Sequence, residues 1–403
     1  MVRSISSPRR FLLVLGVVAA LAIASSTMSK NPALPLLALH IGADDAQIGL
    51  IAAISPIPGI LISSIAGAYS DRHGRTRLIT LSLLIFASAP FLYLFITEVW
   101  QLALVRFYHG FATAMFMPVA MAAVADRFDS SARGEALATF SSFSLVGRFS
   151  APFLGGALIY YTDFTSLYVI IGISAALALL FSIIAPWKEN DVTARVKKVE
   201  GTTVSALKEV VKERGIVLTS SIEAMQYFAM GAFETFIPVY MHQVIGSTAL
   251  EIGFVMGIQV VAMLLAKPIM GRISDRRGRI PFIIIGLLLG AVTITLMPWV
   301  RDIVWLSLLS IVFGLTVATV TASTSALVTD IAGTSAHGSS IGVLRSIMDV
   351  GHSTGPFVTG MVVGAFSYTA GFGLAGGLLA TGAILFAWGM SSKDRVKGMS
   401  PSG

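Results

Sequence analysis

The sequence predicts an all-α integral membrane protein, with twelve transmembrane helices in two six-helix pseudo-symmetric bundles and both termini cytoplasmic. Three observations carry that prediction. The 403-residue chain is 55% hydrophobic and 12% charged, where an ordinary soluble domain has about 25% charged residues. Its lysines and arginines cluster in alternate connections between apolar runs. Its second half also repeats the first at an offset of 204 residues, most plainly in "GAYSDRHGR" at 67–75 and "GRISDRRGR" at 271–279.

Apolar runs such as "FLLVLGVVAALAIASSTM" and "GLAGGLLATGAILFAWGM" have the ~20 residues that a helix needs to cross a ~30 Å hydrocarbon core. Lipid supplies no hydrogen-bond partners, so such runs must bond their own backbone as helices. Spans are predicted near 11–40, 45–69, 77–97, 100–126, 134–161, 166–186, 215–242, 250–272, 280–299, 303–331, 338–366 and 371–391. Pro32, Pro35, Pro56 and Pro58 are expected to kink the first two.

The charges orient these spans. With the N-terminus inside, 22 of the 28 lysines and arginines face the cytoplasm, five lie within spans, and Arg301 alone faces outward. That is a positive-inside distribution, so the net charge of +7 points to membrane topology and not to nucleic acid. Arg9 and Arg10 ahead of an apolar stretch and "AIASS" mimic a signal peptide. The repeat instead assigns this stretch to the first span. With no cysteine in the chain, disulfides, thiol catalysis and cysteine metal sites are excluded.

The repeat extends beyond the nonapeptide. Residues 124–153 fall on 328–357 without a gap, and Val124, Asp126, Ser131, Ala132, Gly134, Gly147, Pro152 and Phe153 meet identical residues. Two bundles at 1–186 and 215–392 follow, joined by a cytoplasmic linker at 187–214 and followed by a tail at 393–403. Paired bundles of this kind are a transporter architecture.

The motifs resemble the major facilitator superfamily. Gly67, Asp71, Arg72, Gly74 and Arg75 match its loop signature between the second and third helices, and Gly271, Asp275, Arg276, Gly278 and Arg279 form a second copy. "LALVRFYHG" resembles its second motif, Arg106 followed four residues later by Gly110. "GRFSAPFLGG" is similar to the antiporter motif through Gly147, Pro152, Gly155 and Gly156, with Ala151 where the family has glycine. The twelve-helix drug:proton antiporter branch is the nearest resemblance.

That resemblance implies a monomeric secondary transporter working by alternating access in a lipid bilayer, most simply a bacterial inner membrane. Its implied partners are protons and a small hydrophobic or amphipathic substrate moved outward, with no cofactor, metal or nucleic acid. A uniporter or symporter of an organic anion is the alternative, motivated by the excess of in-span cations over carboxylates. A lipid mover on the same fold is another. No Gly-x-x-x-x-Gly-Lys-Ser/Thr loop is present, which argues against ATP drive, and nothing suggests an enzyme. In the family the signature loops form a cytoplasmic gate. Asp71 and Asp275 are expected at helix ends, with arginines pairing to them across the seam, Gly67 and Gly271 allowing close helix approach, and Gly74 and Gly278 permitting the turn.

Ionisable groups inside spans are costly unless paired or wet, and so are functional candidates. Arg345, Asp349 and His352 recur at intervals of four and three, on one helical face. Glu223, Gln226, Tyr227, Met230 and Glu234 form a second stripe. Arg106, His109, Gly110 and Thr113 form a third, and Ser141, Ser144 and Arg148 a fourth. Proton coupling is expected at Asp349 first and Glu223 second, with Arg106 and His352 assisting; a static Arg345–Asp349 pair is the competing reading. Arg345, Arg148, Gln226, Tyr227, His109, Glu234, Lys30 and Gln259 are the substrate-cavity candidates. Lys30 and Glu234 are repeat equivalents of opposite charge, which suggests an outer-gate ion pair, with snorkelling of Lys30 as the alternative.

Overall fold

A computed structural model describes residues 7–184, 213–332 and 337–391, with the side chains at 63–65, 67–68, 71–72, 130, 337–339 and 391 outside that description. The predicted linker, apart from Glu213 and Arg214, and the predicted tail therefore lie outside the described residues, as do the side chains of Gly67, Asp71 and Arg72.

Every regular element among the described residues is helical. In chain order they are α1 (Pro8–Met28), α2 (Ala33–His40), α3 (Asp45–Ile54), α4 (Ile57–His73), α5 (Arg75–Leu92), α6 (Val99–Ala125), α7 (Ser130–Tyr161) and α8 (Phe164–Ile184). The second half contributes α9 (Arg214–Tyr240), α10 (Ala249–Arg277), α11 (Arg279–Leu296), α12 (Ile303–Ala332), α13 (His337–Ala365) and α14 (Tyr368–Ser391). The first two predicted spans are each split, at residues 29–32 and around Pro56. Proline lacks the N–H that would bond back to the preceding turn, so Pro32, Pro56 and Pro58 interrupt these helices outright.

Local chemistry sets the ends. Asp44 Oδ1 accepts from the Gln47 backbone N at 2.8 Å while Gln47 Oε1 accepts from the Asp44 N at 3.0 Å, a reciprocal cap on α3. Asp163 caps α8 through the Ser166 N–H, which holds its carboxyl below the usual range. Gly74 and Gly278 have φ of 96° and 94°. Only glycine adopts such values without strain, so each ends one helix and starts the next inside the signature loop.

Among the described residues, ten helical segments are long and apolar enough to cross a membrane. The long helices α9 and α13, of 27 and 29 residues, are not among the ten; they carry Glu223, Glu234, Arg345, Asp349 and His352. Large exposed aromatics sit at helix ends: Trp100, Tyr161, Trp299, Trp305 and Trp388. That is where indole and phenol rings favour a membrane–water boundary.

The chain divides into two compact units, residues 1–197 with 237–257, and residues 198–236 with 258–403. In unit one, Leu15, Val18, Ala19 and Ala22 of α1, Ile79 and Phe86 of α5, Phe116 of α6 and Phe140 of α7 form a buried apolar core. Unit one takes in the 237–257 segment because two glycines let backbones touch. A Cβ on Gly156 would come within 2.5 Å of the Ala249 carbonyl, and one on Gly253 within 2.5 Å of the Pro152 carbonyl. The ring of Phe153 packs on Phe254 beside them. In unit two, Phe233 and Phe313 meet at 5.1 Å between α9 and α12.

The sequence repeat is also a contact repeat. Gly147 of α7 lies against the Ala20 carbonyl of α1, and Gly351 of α13 against the Ala224 carbonyl of α9. Gly110 lies against the Ser55 carbonyl and Gly314 against that of Gln259. Both pairs of contacts are related by 204, so each unit packs these helices through the same glycines.

Candidate functional site

Unit one buries a cation. Arg106 of α6 is 2% exposed. Its Nη2 donates to Ser55 Oγ at 2.9 Å and its Nη1 to the Tyr93 hydroxyl at 3.3 Å. Tyr93 in turn stacks on Tyr168 at 4.4 Å. Among the described residues no carboxylate pairs with this guanidinium, and its Nε has no hydrogen-bond partner. His109, one turn on, is also 2% exposed, held edge-on by the rings of Phe86 and Tyr93. This corrects the expectation that His109 lines a cavity: its level of α6 faces the core of unit one. The same stripe reaches an open surface at Thr113, whose hydroxyl lies 3.5 Å from Ser26 of α1.

Unit two holds the in-span carboxylates. Glu223 of α9 is 2% exposed, and its Oε2 accepts from the hydroxyl of Thr324 on α12. Gln226, fully buried one turn away, has no hydrogen-bond partner for either amide atom among the described residues. Gln259 donates to the Met230 sulfur at 3.6 Å. Glu234 sits 3.2 Å from His352 Nε2 of α13, and the Tyr227 ring meets that imidazole edge-on. The stripe on α9 thus lies on one face but serves three neighbours at successive depths.

Contact of Ala224 with Gly351 puts Glu223 and Asp349 at nearly the same depth. Asp349 is half-buried and Arg345 exposed. Among the described residues they form no ion pair, so a static Arg345–Asp349 bridge is not what holds α13.

At the signature loops the arginines pair within their own unit. Arg75 Nε lies 3.1 Å from Asp126 and also donates to Ser70. Arg279 Nε lies 2.6 Å from Asp330 and its Nη2 3.3 Å from Asp275. The carboxylates at Asp126 and Asp330 are half-exposed, so each bridge contributes at most ~1 kcal/mol to stability. Arg72 lies outside the described side chains and Arg276 is exposed. Gly271 does not serve close approach: a Cβ there would meet nothing nearer than Ala322 at 3.9 Å. In the antiporter motif Gly147 and Gly156 are required by backbone contact, whereas Gly155 has ordinary clearance at 3.5 Å.

A family model for the Major Facilitator Superfamily matches residues 15–258 and 219–402. The chain belongs to the major facilitator superfamily. It is a multi-pass membrane transporter and not an enzyme. Among proteins of this superfamily it is 23% identical over 359 residues to the multi-drug resistance efflux pump PmrA homolog of Lactococcus lactis subsp. lactis, covering 86% of this chain and 87% of that one. It is also 23% identical over 353 residues to the multidrug resistance protein MdtG of Salmonella arizonae, covering 86% of each. Solved structures that share the fold include the following two. The nucleoside transporter NupG gives a TM-score of 0.80 at 16% identity, covering 95% of this chain and 100% of that one. A bacterial homolog of the human lysosomal transporter Spinster, inward-facing and unoccupied, gives 0.79 at 15% identity, covering 96% of each.

Sequence reasoning missed Ser55, Tyr93 and Thr324 as partners of the buried charges Arg106 and Glu223. For Thr324 a signal existed: α12 carries Thr316, Thr319, Thr321, Ser323 and Thr324 within nine residues of a long span, all buried. Ser55 and Tyr93 gave none, because each comes from the end of a different helix.

Proposed function

We propose that this protein is a proton-coupled secondary transporter that exports a small hydrophobic or amphipathic compound by alternating access, in a bacterial inner membrane. On this reading α9 and α13 also span the bilayer, making twelve spans, and the two bundles are the predicted 1–186 and 215–392. The observation that carries the coupling is Glu223, a carboxylate buried at mid-span and met by a neutral hydroxyl. A carboxylate there is costly when charged and comfortable when protonated, so it responds to hydration and to the approach of substrate. Asp349, half-buried at nearly the same depth, is suited to pass protons between Glu223 and water. The names of the efflux-pump relatives support outward transport.

The test uses the full chain in proteoliposomes carrying an internal pH dye, challenged with aromatic acids, neutral aromatics and aromatic amines under an imposed pH gradient. At least one class should move protons counter to itself. Glu223→Gln should reduce gradient-driven transport at least about tenfold while leaving downhill exchange. Wild-type uphill transport in Glu223→Gln would remove the coupling assignment.

A further inference from the structure

We propose that unit one contains the binding site for an anionic group of the transported compound, a carboxylate, sulfonate or phosphate, and that Arg148 of α7 receives it. This rests on the transport reading above and adds the charge of the substrate.

The acids and bases of the two units are distributed differently. In unit one, every Asp or Glu whose side chain is described lies in a loop or within about two turns of a helix end: positions 44, 45, 98, 126, 129, 135, 163 and 251. By that measure the charged group deepest in the unit is Arg148, and Arg106, about two turns into α6, is a second cation, fully packed. In unit two Glu223 and Asp349 lie more than two turns from any helix end, with Glu234 nearer the end of α9. The groups suited to titrate are therefore in one unit, and a deep cationic surface is in the other.

Arg148 is placed for recognition. Ser144 donates to the Met117 sulfur at 3.9 Å, which sets the register between α6 and α7. These helices are joined by a short loop and run antiparallel, so Arg148, one turn past Ser144, stands level with Thr113, one turn before Met117. Thr113 and Ser26 bring two hydroxyls together at that level from α6 and α1. Val146 and Phe149, exposed apolar residues, lie 100° or more around α7 from Arg148, and exposed Leu145 lies about 60° from it, whereas buried Ser144 and Ala151 flank it on the other side, so the arginine stands at the border between the exposed apolar surface and the packed face of α7. It is exposed, and among the described residues it makes no hydrogen bond or ion pair. A guanidinium at mid-span is tolerated only against water or a partner. Its planar fork donates two parallel hydrogen bonds to an oxyanion, and the two hydroxyls can donate others.

The repeat gives a second, independent observation. His352 is the equivalent of Arg148, and Glu234 the equivalent of Lys30. In unit two these positions hold a basic ring with its own carboxylate at 3.2 Å. In unit one both hold cations. Lys30 stands in the turn between α1 and α2, so the equivalence there is one of sequence position. Arg106 is not the receptor: it is 2% exposed and already held by Ser55 and Tyr93.

The test measures binding to the full chain in lipid nanodiscs by thermal shift, with naphthalene-2-sulfonate, its sulfonamide, and a naphthylmethyl-trimethylammonium salt as probes of nearly the same shape. The sulfonate should bind at least about tenfold tighter than the sulfonamide, and the ammonium compound most weakly. Arg148→Gln should erase the preference, Arg148→Lys keep part of it, and Thr113→Val reduce it a few-fold. Equal binding of the three probes, or a sulfonate preference that survives Arg148→Gln, overturns the proposal. If Arg148→Gln does not fold, an undiminished preference in both Arg148→Lys and Thr113→Val overturns it instead. Proton-driven export of the ammonium probe without sulfonate preference would remove this inference and leave the antiport reading standing. Sulfonate binding without proton movement would do the reverse.

Discussion

Thr324 is the residue on which the buried carboxylate of unit two depends. Its hydroxyl is the hydrogen-bond donor that reaches Glu223, and removing a partner from a buried polar group costs about 1–3 kcal/mol. Thr324→Val keeps the shape and removes the donor. It should therefore lower stability by that amount in thermal unfolding and slow proton-driven transport, while Thr324→Ser should restore most of both. Equal stability of the Val and Ser variants would mean that Glu223 finds another donor. Arg106 shows the same principle with the opposite charge, since two hydroxyls from separate helices replace the carboxylate that a buried guanidinium ordinarily has.

Among the elements, the glycine contacts decide which helices touch. α9 meets α13 through Gly351 and Gly355, which lie against the carbonyls of Ala224 and Phe228. Backbone carbonyls cannot rotate away as a side chain can, so a methyl group there must push the helices apart. Gly351→Ala should destabilise the protein by about 1–3 kcal/mol and disturb the pairing of Glu234 with His352. Gly342→Ala, in the same helix with nothing within 4 Å of a Cβ, should be neutral or stabilising by about 0.5–1 kcal/mol through helix propensity. Thermal unfolding of the two variants side by side tests the contact, and similar melting temperatures would count against it.

For the whole molecule, topology is the testable quantity. If α9 and α13 span together with the ten apolar segments, the count is even and both termini share the cytoplasmic side. A reporter fused after Gly403 should then report the cytoplasm, as should one in the signature loop at Gly278. One fused at Arg301 should report the opposite side. A signal from the side opposite the cytoplasm at the C-terminal fusion would show that one of the two polar helices does not cross. A positive-inside bias of this size sets orientation through the loops flanking the spans, so replacing the arginines at 272, 276, 277 and 279 with glutamine should mix the orientations of the second half.

The sequence alone determined the class and the repeat. A long apolar run has few alternatives to a spanning helix, and lysine and arginine report the side on which each loop remains. The 204-residue offset carried over because equivalent glycines meet equivalent carbonyls in both units, at Gly147 with Gly351 and at Gly110 with Gly314. The loop glycines were legible for a similar reason, since positive φ is a property of single residues. Partnership was not legible. The stripes on α6 and α9 identified which face mattered, but a helical wheel says nothing of which neighbour stands opposite at each depth. Only the tertiary structure places His109 between rings, Glu223 against Thr324, Glu234 against His352, and Arg75 on Asp126. It also decided that residues 237–257 pack with the first unit, because the contact of Gly156 with Gly253 is made between helices far apart in sequence. Spacing along one helix encodes direction; the distance between helices is set by what each packs against.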